Sequence, residues 1–230
     1  QGSMTLTSSA LFGEANADYS NALISNGSPV PPAKIKLKNL LAVNLMAEFD
    51  NGLAIRLGHV HGKLTISSST PTALRTALAG VLAGGLGPVP QAQAQSLVDT
   101  VTQSNTDASF SGIGLTYDQN NIVVAAEYTK RRIDGGYVSD TTGWYTTAGY
   151  RFGQWLPYIG YGKVKVNDAN ATLPSVIPQL ASAAAAVQAT LNTQKVAQKT
   201  ASVGVRWDAM PGLAVKAQYD RVSKPSDSYG

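Results

Sequence analysis

Apolar and polar residues alternate along four pairs of segments: 37–49 with 53–66, 108–117 with 122–132, 143–152 with 155–166, and 199–208 with 213–222. A period of two marks a strand with one apolar and one polar face. Within each pair the connection is short: Asp50-Asn51-Gly52, residues 118–121, Gly153-Gln154, and residues 208–212. The other connections, 19–36, 67–107, 133–142 and 167–198, are all much longer. With a further strand near 5–16, this predicts about nine antiparallel strands strung up and down, with tight turns on one rim and long loops on the other. That is the stringing of a transmembrane β-barrel.

The alternation assigns faces. In 199–208, Ala201, Val203, Val205 and Trp207 oppose Thr200, Ser202, Gly204, Arg206 and Asp208; in 213–222, Leu213, Val215, Ala217 and Tyr219 oppose Lys216, Gln218 and Asp220. Strand 122–132 sets Ile122, Val124, Ala126 and Tyr128 against Ala125, Glu127, Thr129 and Arg131. Strand 143–152 sets Trp144, Ala148, Tyr150 and Phe152 against Tyr145, Thr147, Gly149 and Arg151. Strand 37–49 sets Leu37, Leu41, Val43, Leu45 and Phe49 against Lys38, Asn44 and Glu48. In 53–66 the apolar phase switches between Leu57 and Val60, which predicts a bulge at Gly58-His59. In 155–166 both phases are mixed and the outward face stays open.

Aromatic placement adds a second signal. Phe49, Tyr117, Phe152, Trp155 and Trp207 adjoin short turns, while Tyr128, Trp144 and Tyr219 lie toward the long loops. Two such belts are the girdles of a lipid-facing band. The eight steps from Trp144 to Phe152 cover about 27 Å along a strand and roughly 20 Å vertically at a tilt of about 40°, close to the ~25 Å apolar band of these barrels. The plainer alternative is that the same aromatics fill a soluble β core.

Composition narrows the choice. Hydrophobic residues make up 43% and charged residues 14%, so the chain is too apolar for disorder. The mean hydropathy of −0.05 resembles a soluble protein and no run of about 18 apolar residues predicts a spanning helix. Alternating strands average out in any window, so barrel spanning stays open. Cysteine is absent, which removes disulfides, thiolate metal sites and cysteine nucleophiles. The net charge of +4 is too diffuse for nucleic-acid binding; its densest runs, Lys34, Lys36 and Lys38, then Lys130-Arg131-Arg132, lie at strand ends. Residues 1–4 read as the remnant of a cleaved tag, and residues 5–230 as a single barrel domain, a fragment trimmed at both ends.

Alanine-rich stretches at 74–82, 91–101 and 180–191 predict helices in the long loops, broken by Gly84-Gly85, Gly87-Pro88 and Pro90. They narrow or cap a pore, or form surface helices outside the membrane. His59 and His61 could begin a metal site, but no third ligand is identifiable and polar wall residues are the plainer reading. Gly112-x-Gly114 lies in a strand and opens no helix, so it is no dinucleotide fingerprint. No catalytic triad, phosphate loop or paired acids suggest an enzyme, and no cofactor or metal is expected.

The segments SGIGLTYDQNNIVVAAEYTKRR, DTTGWYTTAGYRFGQWLPYIGYGKVK and QKTASVGVRWDAMPGLAVKAQYDRV resemble the middle and later strands of Gram-negative porins of proteobacteria. The resemblance covers about 105–222 closely and 5–66 more loosely. It implies a sixteen-stranded, trimeric outer-membrane channel for small hydrophilic solutes, surrounded by lipid. The chain departs from that pattern in carrying about nine strands and no final strand ending in an aromatic residue.

Together these readings predict a wall of Lys38, Asn44, Glu48, Arg56, Lys63, Glu127, Arg131, Arg151, Arg206, Lys216, Gln218 and Asp220 lining an aqueous lumen. They predict a lipid-facing girdle of Phe49, Tyr117, Tyr128, Trp144, Phe152, Trp155, Trp207 and Tyr219. Seven wall cations against three acids predict an anion preference. The competing expectation is a soluble or periplasmic β-barrel that binds a small apolar ligand on an inward apolar face.

Overall fold

Nine strands form one antiparallel sheet in which every strand pairs with its neighbours in sequence order. The computed structural model describes residues 3–19, 24–25, 28–29, 33–168, 171–194 and 197–224. The strands are β1 (Met4–Tyr19), β2 (Ala33–Phe49), β3 (Leu53–Ser67), β4 (Gln103–Gln119), β5 (Ile122–Asp134), β6 (Asp140–Tyr150), β7 (Trp155–Asp168), β8 (Gln198–Met210) and β9 (Leu213–Ser223). A two-residue ladder, Ile24–Ser25 with Ser28–Pro29, lies between β1 and β2. β1 and β9 do not pair with each other among the described residues, so the sheet is an open meander.

The turns on the short rim follow their local chemistry. Asn120 and Asn121 both take positive φ, 53° and 64°, forming a two-residue turn tighter than the four residues predicted at 118–121. That is the backbone of the hairpin turn whose twist matches its strands, and asparagine tolerates it best after glycine. Gly153 (φ 58°) and Gln154 close the next hairpin, where Phe152 and Trp155 exchange both backbone bonds at 2.7 and 3.0 Å.

Register fixes which side chains share a face. Leu45, Leu57, Ile113, Tyr128 and Trp144 are directly opposite one another across β2 to β6. One residue along, Met46, Arg56, Gly114, Glu127, Tyr145, Gly162 and Thr200 form a row on the other face across β2 to β8. For β7, whose sequence left the choice open, Tyr161, Ile159 and Pro157 oppose Ala201, Val203 and Val205 and so join the apolar face.

The expected bulge at Gly58-His59 does not form: Asn44 and Val43 pair with Gly58 and His59 without interruption. The irregularity lies in β2, between Lys38 and Leu41, where Asn39 takes φ 50°. Gly62 is opposite this bulge, and an added Cβ there would stand 3.1 Å from the Lys38 carbonyl oxygen. The phase switch in β3 therefore has another cause. Toward the loops its polar face becomes apolar: Val60, Leu64 and Ile66 share it, and Leu64 and Ile66 pack into a small core there.

The long loops carry the only large apolar core among the described residues. Helices α1 (Ser69–Ala77), α2 (Ala79–Leu82), α3 (Pro88–Thr100) and α4 (Ala181–Asn192, after a 3-10 turn Pro178–Leu180) match the alanine-rich stretches. Leu97, Val98, Val101, Leu180 and Val187 pack together, each at most 1% exposed. Pro88 at the first helical positions of α3 suits a site whose amide needs no partner.

Candidate functional site

The two faces of the sheet differ in chemistry. On the apolar face Leu6 is 64% exposed, Phe12 80%, Ile159 65%, Val203 54% and Val215 51%. No described residue covers them. Burying a side chain of this size is worth about 1.5–3 kcal/mol, so a row of bare aliphatics calls for an apolar solvent. The eight predicted girdle residues all lie on this face by register or alternation. Trp155 stacks on Trp207 at 5.3 Å, and Trp144 packs on Tyr161 at 5.6 Å. Tyr161 and Tyr150 belong to the same belts; β7 has no clear phase by sequence, and alternation puts Tyr150 on the apolar face without assigning it to the girdle.

The opposite face is polar, and small where strands approach. Gly58, Gly112, Gly114, Gly143, Gly149, Gly160, Gly162 and Gly204 all point to it. An added Cβ would be 3.1 Å from Val164 Cγ2 at Gly143, 3.1 Å from Thr147 Cγ2 at Gly160 and 3.2 Å from Tyr145 Cβ at Gly162. At Gly204 it would meet the Tyr158 ring. Glycine thus makes room where polar-face neighbours crowd, while at Gly58 nothing lies within 4 Å.

Ten of the twelve predicted wall residues lie on the polar face. Arg56 Nε donates to Asn44 Oδ1 at 2.8 Å, and Tyr158 donates to Gln218 Oε1 at 2.7 Å while Lys216 Nζ sits 5.0 Å over its ring. Arg151 grips Asp118 through both terminal nitrogens at 2.8 and 3.0 Å, and Arg206 pairs with Asp208 at 2.7 Å. Arg131 donates to the Ser139 carbonyl from Nε at 3.3 Å and Nη2 at 2.9 Å, so its guanidinium holds a loop.

Lys38 and Lys63 are corrections. They oppose each other, and β3 alternation puts Lys63 on the face of Leu57. The bulge at Asn39 is what carries Lys38 across. With both on the apolar side, Arg56, Arg131, Arg151, Arg206 and Lys216 are matched on the described wall by Glu48, Asp118, Glu127, Asp208 and Asp220. His59 and His61 share the apolar face as well. His59 Nδ1 is 2.8 Å from Ser111 Oγ and His61 Nε2 is 3.6 Å from Asp107. No group of three or more metal-type ligands occurs among the described residues.

At the loop rim the polar face is capped. Leu64, Ile133 and Val138 form a small core with Ile35, Leu37, Ile66 and Ala108, and Tyr137 packs against both this core and the helical one. Burial raises the Tyr137 hydroxyl above its ordinary pKa. The Gln103 amide, 1% exposed, fastens the junction: Oε1 accepts from the Tyr137 and Val138 amides at 3.0 and 3.4 Å, and Nε2 donates to the Gly135 carbonyl at 3.1 Å. The helices are thereby anchored on the polar-face side. Sequence reasoning missed Gln103 because nothing local distinguishes it from a surface glutamine.

A family model described as Gram-negative porin matches residues 35–229. A search of curated proteins gives no match. Among solved structures, the toluene transporter TodX of Pseudomonas putida is similar at 13% identity and a TM-score of 0.41, over 96% of this chain and 64% of that one. LpxR from Salmonella typhimurium is similar at 12% identity and a TM-score of 0.35, over 99% and 79%. The chain thus spans just under two thirds of the length of the first of these. Likenesses at this level leave function untouched.

Proposed function

Because this chain belongs to the Gram-negative porin family, an outer-membrane β-barrel family, we propose that its protein is a passive diffusion channel for small hydrophilic solutes. The single observation that supports this reading most is the inversion of the sheet: bare aliphatics on one face, and a glycine-rich, charged surface on the other. Such a wall solvates a water column while its back dissolves in lipid. Solutes are sorted by size and by the field of the lining side chains, without a chemical step, cofactor or metal.

The helical module on the polar side of the loop rim narrows the entrance in this reading. The anion preference expected from the sequence has a reduced basis. Lys38 and Lys63 leave the wall, Asp118 and Asp208 join it, and two arginines spend their charge on neighbouring carboxylates. We therefore expect weak ion selectivity from this part of the wall. A trimer, implied by the family resemblance, belongs to the same proposal.

Planar-bilayer recordings on the full-length protein test it. Discrete conductance steps that shrink with larger sugars in the bath support the channel. Silence in correctly folded, bilayer-inserted protein would overturn it and favour the alternative of a binding barrel.

A further inference from the structure

The apolar face ends differently at its two rims. On β5, β7 and β9 the last outward tyrosine toward the loops, Tyr128, Tyr161 or Tyr219, is followed two residues on by an outward cation, Lys130, Lys163 or Arg221. Each cation therefore stands one strand repeat beyond the aromatic belt, where a lipid headgroup begins. The turn rim, with Phe49, Phe152, Trp155 and Trp207, carries no outward lysine or arginine among the described residues.

Among the described residues no salt bridge neutralises the centre of this belt. Lys163 is directly opposite Lys199 on β8. Such Cβ atoms lie about 4.5–5.5 Å apart, and like charges so placed destabilise a sheet. Lys130, Lys163 and Lys199 make no salt bridge among the described residues; of the acids toward this rim, Asp107 is held by Lys63 and His61 and Glu14 by Lys36, while Asp134, opposite Asp107, pairs with no cation. A cation row that repels itself, bordered on one side by lipid-facing tyrosines, lacks a counter-anion from the membrane side.

The geometry points to a belt, around Lys130, Lys163, Lys199 and Arg221, that binds the phosphate headgroups of net-negative lipids in the leaflet at the long-loop rim. Lysines here reach across the aromatic belt with their aliphatic stems in the apolar zone and their ammonium groups at headgroup level. The attraction per cation near an anionic surface is substantial and short-ranged. The belt concerns the barrel's exterior and stands whether or not the lumen conducts.

The three tryptophans provide the test, since Trp144 is at the belt and Trp155 and Trp207 at the turn rim. A variant with Trp155→Phe and Trp207→Phe is reconstituted into phosphatidylcholine vesicles. These contain a minor fraction of brominated phosphatidylglycerol or, in parallel, brominated phosphatidylcholine. The anionic quencher should act on Trp144 roughly twofold or more beyond the neutral one, fade with added salt, and lose its excess in Lys130→Gln, Lys163→Gln, Lys199→Gln protein. The matching Lys→Arg protein should keep it. With Trp144→Phe instead, the turn-rim tryptophans should show no excess. Equal quenching by the two lipids, an excess at both rims, or an excess that survives neutralisation or salt would overturn the belt. Should the triple glutamine variant fail to fold, the salt series on protein retaining its lysines decides alone.

Discussion

The strand wall and the loop module are built on opposite solvation rules within one chain. In the module, Ala94, Leu97 and Val98 are wholly buried and the polar residues face out, as in any water-soluble helical cluster. In the wall, the aliphatics of β2 to β9 are the most exposed part, and among strand residues only Leu64, Ile133 and Val166 belong to the buried apolar set. All three lie at the loop end, on the polar face, where the wall meets the module. The wall's stability therefore depends on what solvent lies behind it, and the module's on its own packing. A change of environment should separate the two.

The largest effect is expected inside the module. Leu97→Ala should cost about 2–5 kcal/mol, the range for deleting a buried leucine, and should fall on the helices alone. Hydrogen exchange in detergent should show 69–102 and 178–192 losing protection while β5 to β8 keep theirs. Equal loss across the strands would mean that the module is a structural keystone of the wall.

The next effect has the opposite logic. Val205→Arg on the bare face should cost about 2–4 kcal/mol if the site lies near the bilayer midplane, whereas Ser202→Arg on the polar face should be tolerated. Single cysteines sharpen the contrast: a water-soluble thiol reagent should label positions 206, 216 and 218 and spare 203, 205, 215 and 217. Reversed labelling would return the apolar face to a soluble interior.

A smaller penalty probes crowding. Gly160→Val places branched carbon against Thr147 and Ser202, and overpacking of this kind costs typically about 1–3 kcal/mol. The same change at the exposed apolar position Ala201 should be neutral in lipid. If the two behave alike, the polar face is no more crowded than the other.

Much of this contrast was legible in the sequence, and its failures share a cause. Period two, the short turns and the eight girdle aromatics follow from backbone geometry and from the interface, which act residue by residue. The missed features depend on what a face touches. Leu57 to Val60 reads as a bulge because parity alone cannot distinguish an inserted residue from a face whose neighbour changes from water to packed loop. The true bulge, at Asn39, hides in a run where Leu37 to Leu41 keeps its apolar phase by sequence while the strand crosses over. That crossing moved Lys38 out of the wall and, with Lys63, removed half of the predicted excess of cations; Asp118 and Asp208 offset the rest. The face of β7 was unreadable because Tyr158 and Val164 point to the polar side while Tyr161 and Lys163 point to the other.

The smallest expected effect tests whether the wall's ion pairs carry stability at all. Arg151 and Asp118 form a two-pronged pair at the turn rim, with side chains 36% and 54% exposed. Bidentate geometry is the favourable case for an arginine and a carboxylate, yet water reaches both partners and salt screens them. A double-mutant cycle of Arg151→Ala and Asp118→Ala should give a coupling of about 0.2–1 kcal/mol, shrinking toward zero at high salt. The pair's larger consequence would then be electrical: it cancels a cation that the sequence assigned to selectivity. Asp118→Asn in the full-length protein should move the reversal potential toward anions while scarcely changing stability. A coupling well above 1 kcal/mol with an unmoved reversal potential would reverse that ranking and make the pair a structural clasp of the turn rim.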